Sequence, residues 1–226
     1  MSENLSIMYV IIAFFALGAT LGLFTRGQKY HAYFTYIPSA FASFLTIILA
    51  ITIFSSESIH LTFFNIQDLF DFEIFIDGVA AFFLLIIGLI SFAVSIYSLS
   101  YSKKFDDKKN NSALGMLFNV FILSMILVVI SNNVFFFLVF WELMSLTSFF
   151  LVIYEHENKH NLKSGLTYLV MTHLGTGFIF ASFMLMYTQT GSFSFDSFRD
   201  VSIIPQYVKD IAFVLAFVGF GTKAGM

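Results

Sequence analysis

Seven long apolar runs, separated by short polar segments, make up most of the chain. A helix needs about 20 mostly apolar residues to cross a bilayer, and several runs reach that length without an internal charge. A transmembrane barrel would require alternating apolar and polar positions, whereas these runs are apolar on all sides. The pattern therefore predicts an all-α, polytopic transmembrane helix bundle of about seven spans. The runs cover residues 7–24, 33–54, 75–97, 113–131, 134–153, 165–187 and 211–226.

Composition excludes a soluble globular domain. Of the 226 residues, 58% are hydrophobic, only 11% are charged and 33 are phenylalanine, which no ordinary soluble domain approaches. Because the chain has no cysteine, it forms neither disulfides nor a thiolate-bound iron–sulfur centre, and we predict no cofactor. The N-terminus lacks the basic region and cleavage pattern of a signal peptide, which predicts an uncleaved first helix.

The basic residues of the loops predict how the chain is oriented in the membrane. Only Arg199 and Lys209 fall on one side, whereas eight basic residues fall on the other. By the positive-inside rule the second side is cytoplasmic and the N-terminus is extracytoplasmic. The chain has no basic patch of the kind that binds nucleic acid, so we predict no nucleic acid partner. Its predicted surroundings are the lipid bilayer. The eight residues are Arg26, Lys29, Lys103, Lys104, Lys108, Lys109, Lys159 and Lys163.

Two loops fall on the predicted extracytoplasmic side. The loop at residues 55–74 alternates only partly between apolar and polar positions over residues 60–66, so a short hairpin and an interfacial helix both remain open. The loop at residues 191–210 is predicted to be a connector on the membrane surface. The first loop carries four acidic residues, Glu57, Asp68, Asp71 and Glu73.

Glu142, His173 and Lys223 are the ionisable residues that lie inside apolar runs, away from their ends. A charge at the centre of a membrane helix costs roughly 2.5–3.5 kcal/mol, so such residues usually face a bundle interior and serve transport. One acid, one imidazole and one amine form the inventory of a proton relay, and we predict these three as proton-translocation residues, with no catalytic residue.

Each of the three has a structural alternative. Glu142 can be a neutral acid bonded to Ser145, Thr147 or a neighbouring helix. His173 can be an interhelical hydrogen-bonding residue, and Lys223 a lysine that extends towards the interface. No metal site is predicted, because no second ligand lies at helical spacing from His173. The remaining histidines of that region, His156 and His160, belong to the cytoplasmic turn.

Other conspicuous residues have structural explanations. Asp77 opens the third predicted helix, where an acid is favoured by the helix dipole. Gly18 and Gly22 fit the small-xxx-small pattern of helix packing. Trp141 lies too deep for an interfacial belt and is predicted to pack against the pocket of Glu142. Dense glycines around Lys223 weaken a helix and allow a break, as in transporter helices that line cavities.

Two motifs resemble a known family. The segment 140–146, Phe-Trp-Glu-Leu-Met-Ser-Leu, is followed about eighty residues later by Gly-Thr-Lys-Ala-Gly at 221–225. Together they resemble the antiporter-like proton-channel subunits of respiratory complex I, Mrp antiporters and membrane-bound hydrogenases. Residues 76–83 and 168–176 look like the formate hydrogenlyase and hydrogenase branch of that family.

The resemblance implies the N-terminal half of an inverted-repeat fold. It implies a charge pair in a proton half-channel between Glu142 on the fifth helix and Lys223 on a broken seventh helix. Residues 1–112 would form an N-terminal three-helix region with the extracytoplasmic 55–74 loop, and 113–226 the start of the channel repeat. Because such subunits have about fourteen helices, we expect an N-terminal fragment or a truncated product.

The resemblance also implies a function and a location. We expect a redox-inactive subunit of a hydrogenase or complex-I-like oxidoreductase that couples electron transfer to proton translocation, with a cation/proton antiporter subunit of the Mrp type as the alternative. Its expected partners are the other membrane subunits of such an assembly. The expected location is the cell inner (plasma) membrane.

Overall fold

The structure is a computed structural model that describes residues 2–25, 30–55, 58–62, 72–102, 111–155, 157, 159–199, 202 and 204–225. This part of the chain contains eight α-helices and two short strands. The helices are α1 (Ser2–Phe24), α2 (His31–Phe54), α3 (Gly78–Tyr101), α4 (Asn111–Ile130), α5 (Val134–Val152), α6 (Lys159–Thr190), α7 (Phe195–Arg199) and α8 (Gln206–Ala224). The strands are β1 (Ile59–Thr62) and β2 (Glu73–Ile76).

The predicted transmembrane bundle is confirmed. Within the described residues, the six helices α1 to α6 are long and apolar enough to cross a membrane. The seventh predicted run lies within α8, which carries three charged residues along its 19 positions, Lys209, Asp210 and Lys223. The chain is therefore a multi-pass α-helical membrane protein.

One compact unit comprises Met1–Ile59 and Ile76–Ile130. It contains α1 to α4, in which α2 packs along α1 and α3, and α4 packs along α1. Glycines allow the close approaches of α1. A Cβ at Gly18 would lie 2.9 Å from Asn119 Cγ, and one at Gly22 would lie 3.0 Å from the Met116 nitrogen. The small-xxx-small pattern is therefore a packing surface, as predicted.

Neutral polar side chains fill the interior of this first unit. Ser39 donates to Asn119 Oδ1 at 2.6 Å, and Asn119 Nδ2 donates to the Gly115 carbonyl at 2.9 Å. Ser91 donates to the Ser43 hydroxyl at 2.8 Å. All four of these residues are buried, with at most 1% of their surface exposed. They are Ser39, Ser43, Ser91 and Asn119. Because each of these groups has a protein partner, they join helices without leaving a buried polar group unsatisfied.

The other compact unit comprises His60–Phe75 and Ser131–Met226. Its long helix α6 packs along α8 and against α5. A Cβ at Gly219 would lie 2.7 Å from the Gly175 carbonyl oxygen, and one at Gly175 would collide with the Thr222 hydroxyl. In addition, Ser182 donates to the Ala212 carbonyl at 2.7 Å. These contacts fix how α8 lies on α6, and hence which way Lys223 faces.

Helix α8 continues unbroken through Gly219 and Gly221. It ends at Ala224, where Gly225 takes the left-handed conformation with φ of 88° and its backbone N–H donates to the Gly221 carbonyl. Glycine is the residue that tolerates this conformation at a helix end. The expected weakening therefore does not interrupt the helix before Lys223, which lies in its last turn.

The described part of the loop before α3 forms paired strands, as the hairpin alternative predicts. Strands β1 and β2 pair with each other in a two-stranded sheet. Residues 63–71 and 56–57 lie outside the described residues, so three of the four predicted loop acids, Glu57, Asp68 and Asp71, are not located. Asp77 is the N-cap of α3, and its Oδ1 accepts from the Ala80 backbone N–H at 2.8 Å, as predicted.

Candidate functional site

Glu142 of α5 forms an ion-pair contact with His173 of α6. The distance between His173 Nε2 and Glu142 Oε2 is 3.3 Å, and the Glu142 side chain is 30% exposed. The other ring nitrogen, Nδ1, lies 3.0 Å from the Leu169 carbonyl oxygen one turn earlier on α6. The structure thus joins two of the three predicted proton-translocation residues.

The Leu169 contact sets the role of one ring nitrogen of His173. A carbonyl oxygen only accepts, so Nδ1 is the donor in that contact. Nε2 is the ring nitrogen that faces Glu142 Oε2 on α5.

Lys223 of α8 bonds to hydroxyl groups rather than to a carboxylate. Its ammonium group donates to Ser145 Oγ on α5 and, at 3.3 Å, to Tyr168 Oη on α6. Lys223 and Glu142, both well described, make no ion pair with each other. The implied charge pair is therefore open in this conformation, and its functional role stays a prediction.

The hydroxyl groups around Lys223 form a directed chain. Ser148 donates to the Ser145 carbonyl at 2.9 Å. Its single hydrogen is then used, so in its 2.6 Å contact with Ser148 the Tyr168 hydroxyl is the donor. Tyr168 in turn accepts from Lys223. Every donor therefore points away from the ammonium group, an arrangement that suits a charged lysine.

Aromatic rings form one wall of the site. The Lys223 Nζ lies 5.5 Å from the ring centres of both Trp141 and Tyr168, within the range of cation–π attraction. Trp141 stacks on Phe137 and meets Phe220 edge to face, each at 5.5 Å. Trp141 thus packs against the amine and the aromatic core, and its predicted packing against the pocket of Glu142 stays a prediction.

Two buried polar atoms at the site lack a hydrogen-bonding partner among the described residues. They are Glu142 Oε1 and Trp141 Nε1, an acceptor and a donor on adjacent residues. Such groups are rare in folded proteins, and each calls for a physical explanation. Glu142 Oε1 is thus an acceptor without a hydrogen bond from any described residue, three residues before Ser145 on α5.

The structural alternative for Glu142 stays open through the neighbouring helix, where His173 contacts the carboxyl group, but not through Ser145 or Thr147. Ser145 donates to the Trp141 carbonyl at 2.9 Å, and Thr147 donates to the Leu143 carbonyl at 2.7 Å. Neither hydroxyl donates to the carboxyl group. Sequence analysis missed Tyr168 and Ser148 as contributors, because a tyrosine and a serine in an apolar run give no signal until their helices are placed together.

These features define a multi-pass α-helical membrane protein with an acid, an imidazole and an amine gathered within one unit. Residues 131–226 match the family described as NADH:quinone oxidoreductase/Mrp antiporter, transmembrane region. The predicted resemblance to antiporter-like membrane subunits is therefore confirmed by the family match over residues 131–226 and by the hydrogenase and putative antiporter relatives described next.

Two relatives span different lengths of the chain. Hydrogenase-4 component B of Escherichia coli K12 is 39% identical over 156 residues, which cover 69% of this chain and 23% of the relative. A putative antiporter subunit, mnhA2, of Staphylococcus aureus is 27% identical over 193 residues, which cover 83% of this chain and 24% of the relative. The chain thus spans about a quarter of the length of these relatives.

Two solved structures share the fold. One is the membrane-bound sulfane sulfur reductase, an archaeal respiratory membrane complex, which matches 98% of this chain and 44% of the solved chain at 16% identity with a TM-score of 0.78. The other is the Mrp complex of Dietzia sp. DQ12-45-1b, which matches 96% of this chain and 24% of the solved chain at 19% identity with a TM-score of 0.78. At these identities the likeness concerns the fold alone.

Proposed function

We propose that this chain is part of a proton-translocating, redox-inactive membrane subunit of a hydrogenase or complex-I-like oxidoreductase. The observation that carries the proposal is the placement of the three ionisable residues on α5, α6 and α8, where Glu142 contacts His173 and Lys223 bonds to Ser145 and Tyr168. The 39% identity to a hydrogenase component favours the hydrogenase side of the family. Other membrane subunits of the assembly are its proposed partners.

The switch in this proposal is the distance between Glu142 and Lys223. Lys223 contacts Ser145, which lies three residues after Glu142 on α5 and thus about 4.5 Å further along the helix axis. Two unit charges 4 Å apart attract by about 4 kcal/mol at an effective dielectric constant near 20. A shift of less than one helical turn therefore changes the electrostatic energy of the pair substantially.

The open and closed states differ in which proton is released. In the closed state, Glu142 turns its unpartnered Oε1 to Lys223, and the attraction stabilises the charged forms of both groups. In the open state, Glu142 pairs with His173, and Lys223 loses the carboxylate that stabilised its charge. Lys223 can then pass a proton to the hydroxyl chain of Tyr168 and Ser148, which must reorient to conduct it.

The test replaces the two residues of the switch in the full-length protein within its complex. In Glu142→Gln and Lys223→Ala, we expect redox-coupled proton uptake into vesicles to fall by more than about 100-fold, a loss typical of removing a proton-transfer group. The matched controls are Asp210→Asn and Lys209→Ala, which change an acid and a lysine at the start of α8. Redox-coupled proton uptake at the wild-type level in both Glu142→Gln and Lys223→Ala would contradict the proposal.

A second candidate is a cation/proton antiporter subunit of the Mrp type. It is favoured by the likeness to the putative antiporter subunit of Staphylococcus aureus, which extends over 83% of this chain. Glu142 and Lys223 would be needed in both candidate functions, so variants of these residues do not distinguish them. The two functions differ in what drives proton movement, which is electron transfer in one and a cation gradient in the other. Proton flux driven by an imposed sodium gradient, without an electron donor, would favour the antiporter.

We further propose that the protein lies in the cell inner (plasma) membrane with its N-terminus outside. The proposal rests on the loop lysines and arginines, of which Lys159 and Lys163 are described; the other six basic residues of the predicted cytoplasmic side lie outside the described residues. Since the chain has no cysteine, single cysteines placed at Lys159 and Lys209 can be labelled selectively. We expect an impermeant reagent to label only Lys209→Cys from outside intact cells, and the reverse result would contradict this orientation.

A further inference from the structure

A second cluster of ionisable side chains lies at the hairpin, apart from the Glu142 site. It consists of His60 on β1, Glu73 on β2 and Asp196 on α7, and one nitrogen or oxygen atom of each lies within 4.8 Å of the other two. His60 Nε2 is 3.5 Å from Asp196 Oδ2. The proposed proton switch uses none of these residues, and the three are far apart in the sequence.

Backbone hydrogen bonds hold the three ligand-bearing segments in place. The Asn132 backbone N–H donates to the Glu73 carbonyl at 2.9 Å, and the Phe195 N–H donates to the Asn132 carbonyl at 3.0 Å. Isolated bridges join Ile74 to Ser131 and Asn133 to Ser194. The residues between α4 and α5 thus lie between β2 and the start of α7. The cluster is therefore preorganised by main-chain contacts, which lowers the cost of binding a ligand there.

Buried Asn132 orients the two carboxylates. Its side chain belongs to a residue that is only 2% exposed, and its Nδ2 lies 3.3 Å from Glu73 Oε2 and 2.9 Å from Asp196 Oδ2. Ser194 also donates to Glu73 Oε2, at 2.9 Å. Polar partners of this kind around carboxylate ligands are typical of metal sites, where they fix the direction of the ligand.

The other contacts of Asp196 and His60 leave Asp196 Oδ2 and His60 Nε2, two atoms that can bind a metal ion, facing each other. Arg199 binds the outer oxygen of Asp196, Oδ1, at 3.1 Å, so Oδ2 is the oxygen that faces His60. The ring of His60 meets Phe75 edge to face at 6.0 Å, which restricts its orientation. A tetrahedral ion with bonds of about 2.1 Å needs neighbouring ligands about 3.4 Å apart, and the His60–Asp196 distance already matches this edge.

We propose that His60, Glu73 and Asp196 form a binding site for a divalent transition-metal ion of the Zn²⁺ class. One imidazole nitrogen and two carboxylate oxygens are ligands that Zn²⁺ accepts, with water at the fourth position. Two carboxylates beside the single guanidinium of Arg199 also leave a net negative charge when His60 is neutral. The ion would tie both strands of the hairpin to α7, and the proposal does not depend on the proton switch.

The experiment measures Zn²⁺ binding to the purified full-length protein in detergent by titration calorimetry. We expect one Zn²⁺ per cluster, and at least about 10-fold weaker binding in His60→Gln, Glu73→Gln and Asp196→Asn. The matched control is His160→Gln, which removes a histidine of α6 outside the cluster and should bind Zn²⁺ as the wild type does. X-ray absorption of the Zn²⁺-bound wild type should show one imidazole in the coordination shell, whether or not a variant folds.

Three results would overturn the proposal. Equal Zn²⁺ binding by the wild type and His60→Gln would place the ion elsewhere. Absence of Zn²⁺ binding by the folded wild type would mean that the cluster is a hydrogen-bonded network in which protonated His60 balances Asp196. A coordination shell with oxygen ligands alone would likewise exclude His60 as a ligand.

Discussion

The two compact units differ in the kind of polar side chain that they contain and in how completely it is hydrogen-bonded. In the unit of α1 to α4, the interior contains neutral side chains such as Ser39, Ser91 and Asn119, which bond to one another or to backbone carbonyls. In the unit of α5 to α8, the polar side chains of the site include an acid and an amine, and Glu142 Oε1 lacks a partner among the described residues. Satisfied neutral groups favour packing, whereas incompletely paired ionisable groups favour a change of state.

One residue of the first unit departs from this contrast. His31 is 5% exposed, and its Nδ1 lies 2.7 Å from the Thr25 hydroxyl, while its Nε2 has no partner among the described residues. Thr25 donates its hydrogen to the Leu21 carbonyl at 2.6 Å, so the imidazole Nδ1 is the donor to Thr25. Through the Thr25 contact His31 joins the end of α1 to the start of α2.

The largest effect on stability in this comparison is expected from removing the side-chain amide of Asn119 in the first unit. Asn119→Ala removes the bonds to the Gly115 carbonyl and from Ser39, and we expect the free energy of unfolding to fall by about 1–2 kcal/mol. Proton coupling of the folded protein should stay at the wild-type level. Reversible unfolding in SDS and proton uptake in vesicles measure the two quantities, with Asn161→Ala on α6 as the control. A large loss of coupling at unchanged stability would erase the distinction between the units.

A smaller effect on stability, together with a loss of proton coupling, is expected from a change in the second unit. Ser145→Ala removes one hydroxyl acceptor of the Lys223 ammonium group but leaves Tyr168 in place. We expect proton coupling to fall by about 3- to 10-fold, equivalent to about 0.6–1.4 kcal/mol. Because Ser145 is buried, the free energy of unfolding should also fall, by about 0.5–1 kcal/mol, which is less than in Asn119→Ala. Ser164→Ala, on the exposed face of α6, is the control. If Ser145→Ala costs stability but spares coupling, Ser145 is a packing residue.

The hydrophobic pattern was sufficient to predict the helices. Because the bilayer requires every backbone polar group to be satisfied within its own segment, long apolar runs have few alternatives to a helix. The short-range features of Asp77 and Gly18 were predictable for a similar reason, since capping and small-residue packing depend on local sequence.

The contacts of the site were less predictable. The resemblance implied a Glu142–Lys223 pair, but in this conformation Glu142 contacts His173, and Lys223 contacts Ser145 and Tyr168. Which of these partners meet depends on the rotation of α6 and α8 about their axes. That rotation is set by the close approach of Gly175 and Gly219, a tertiary contact that no spacing within one helix specifies.

The sequence by itself determined that this is a multi-pass helical membrane protein with an acid, an imidazole and an amine inside its apolar runs. Only the tertiary structure decided which of these groups touch, because contacts between helices depend on side-chain packing over residues far apart in the chain. The same reason hid the cluster of His60, Glu73 and Asp196. Glu73 and Asp196 come together through the main-chain bonds of Asn132 to Glu73 and Phe195, and His60 through the pairing of β1 with β2. These contacts become visible only once the strands and the start of α7 are in place.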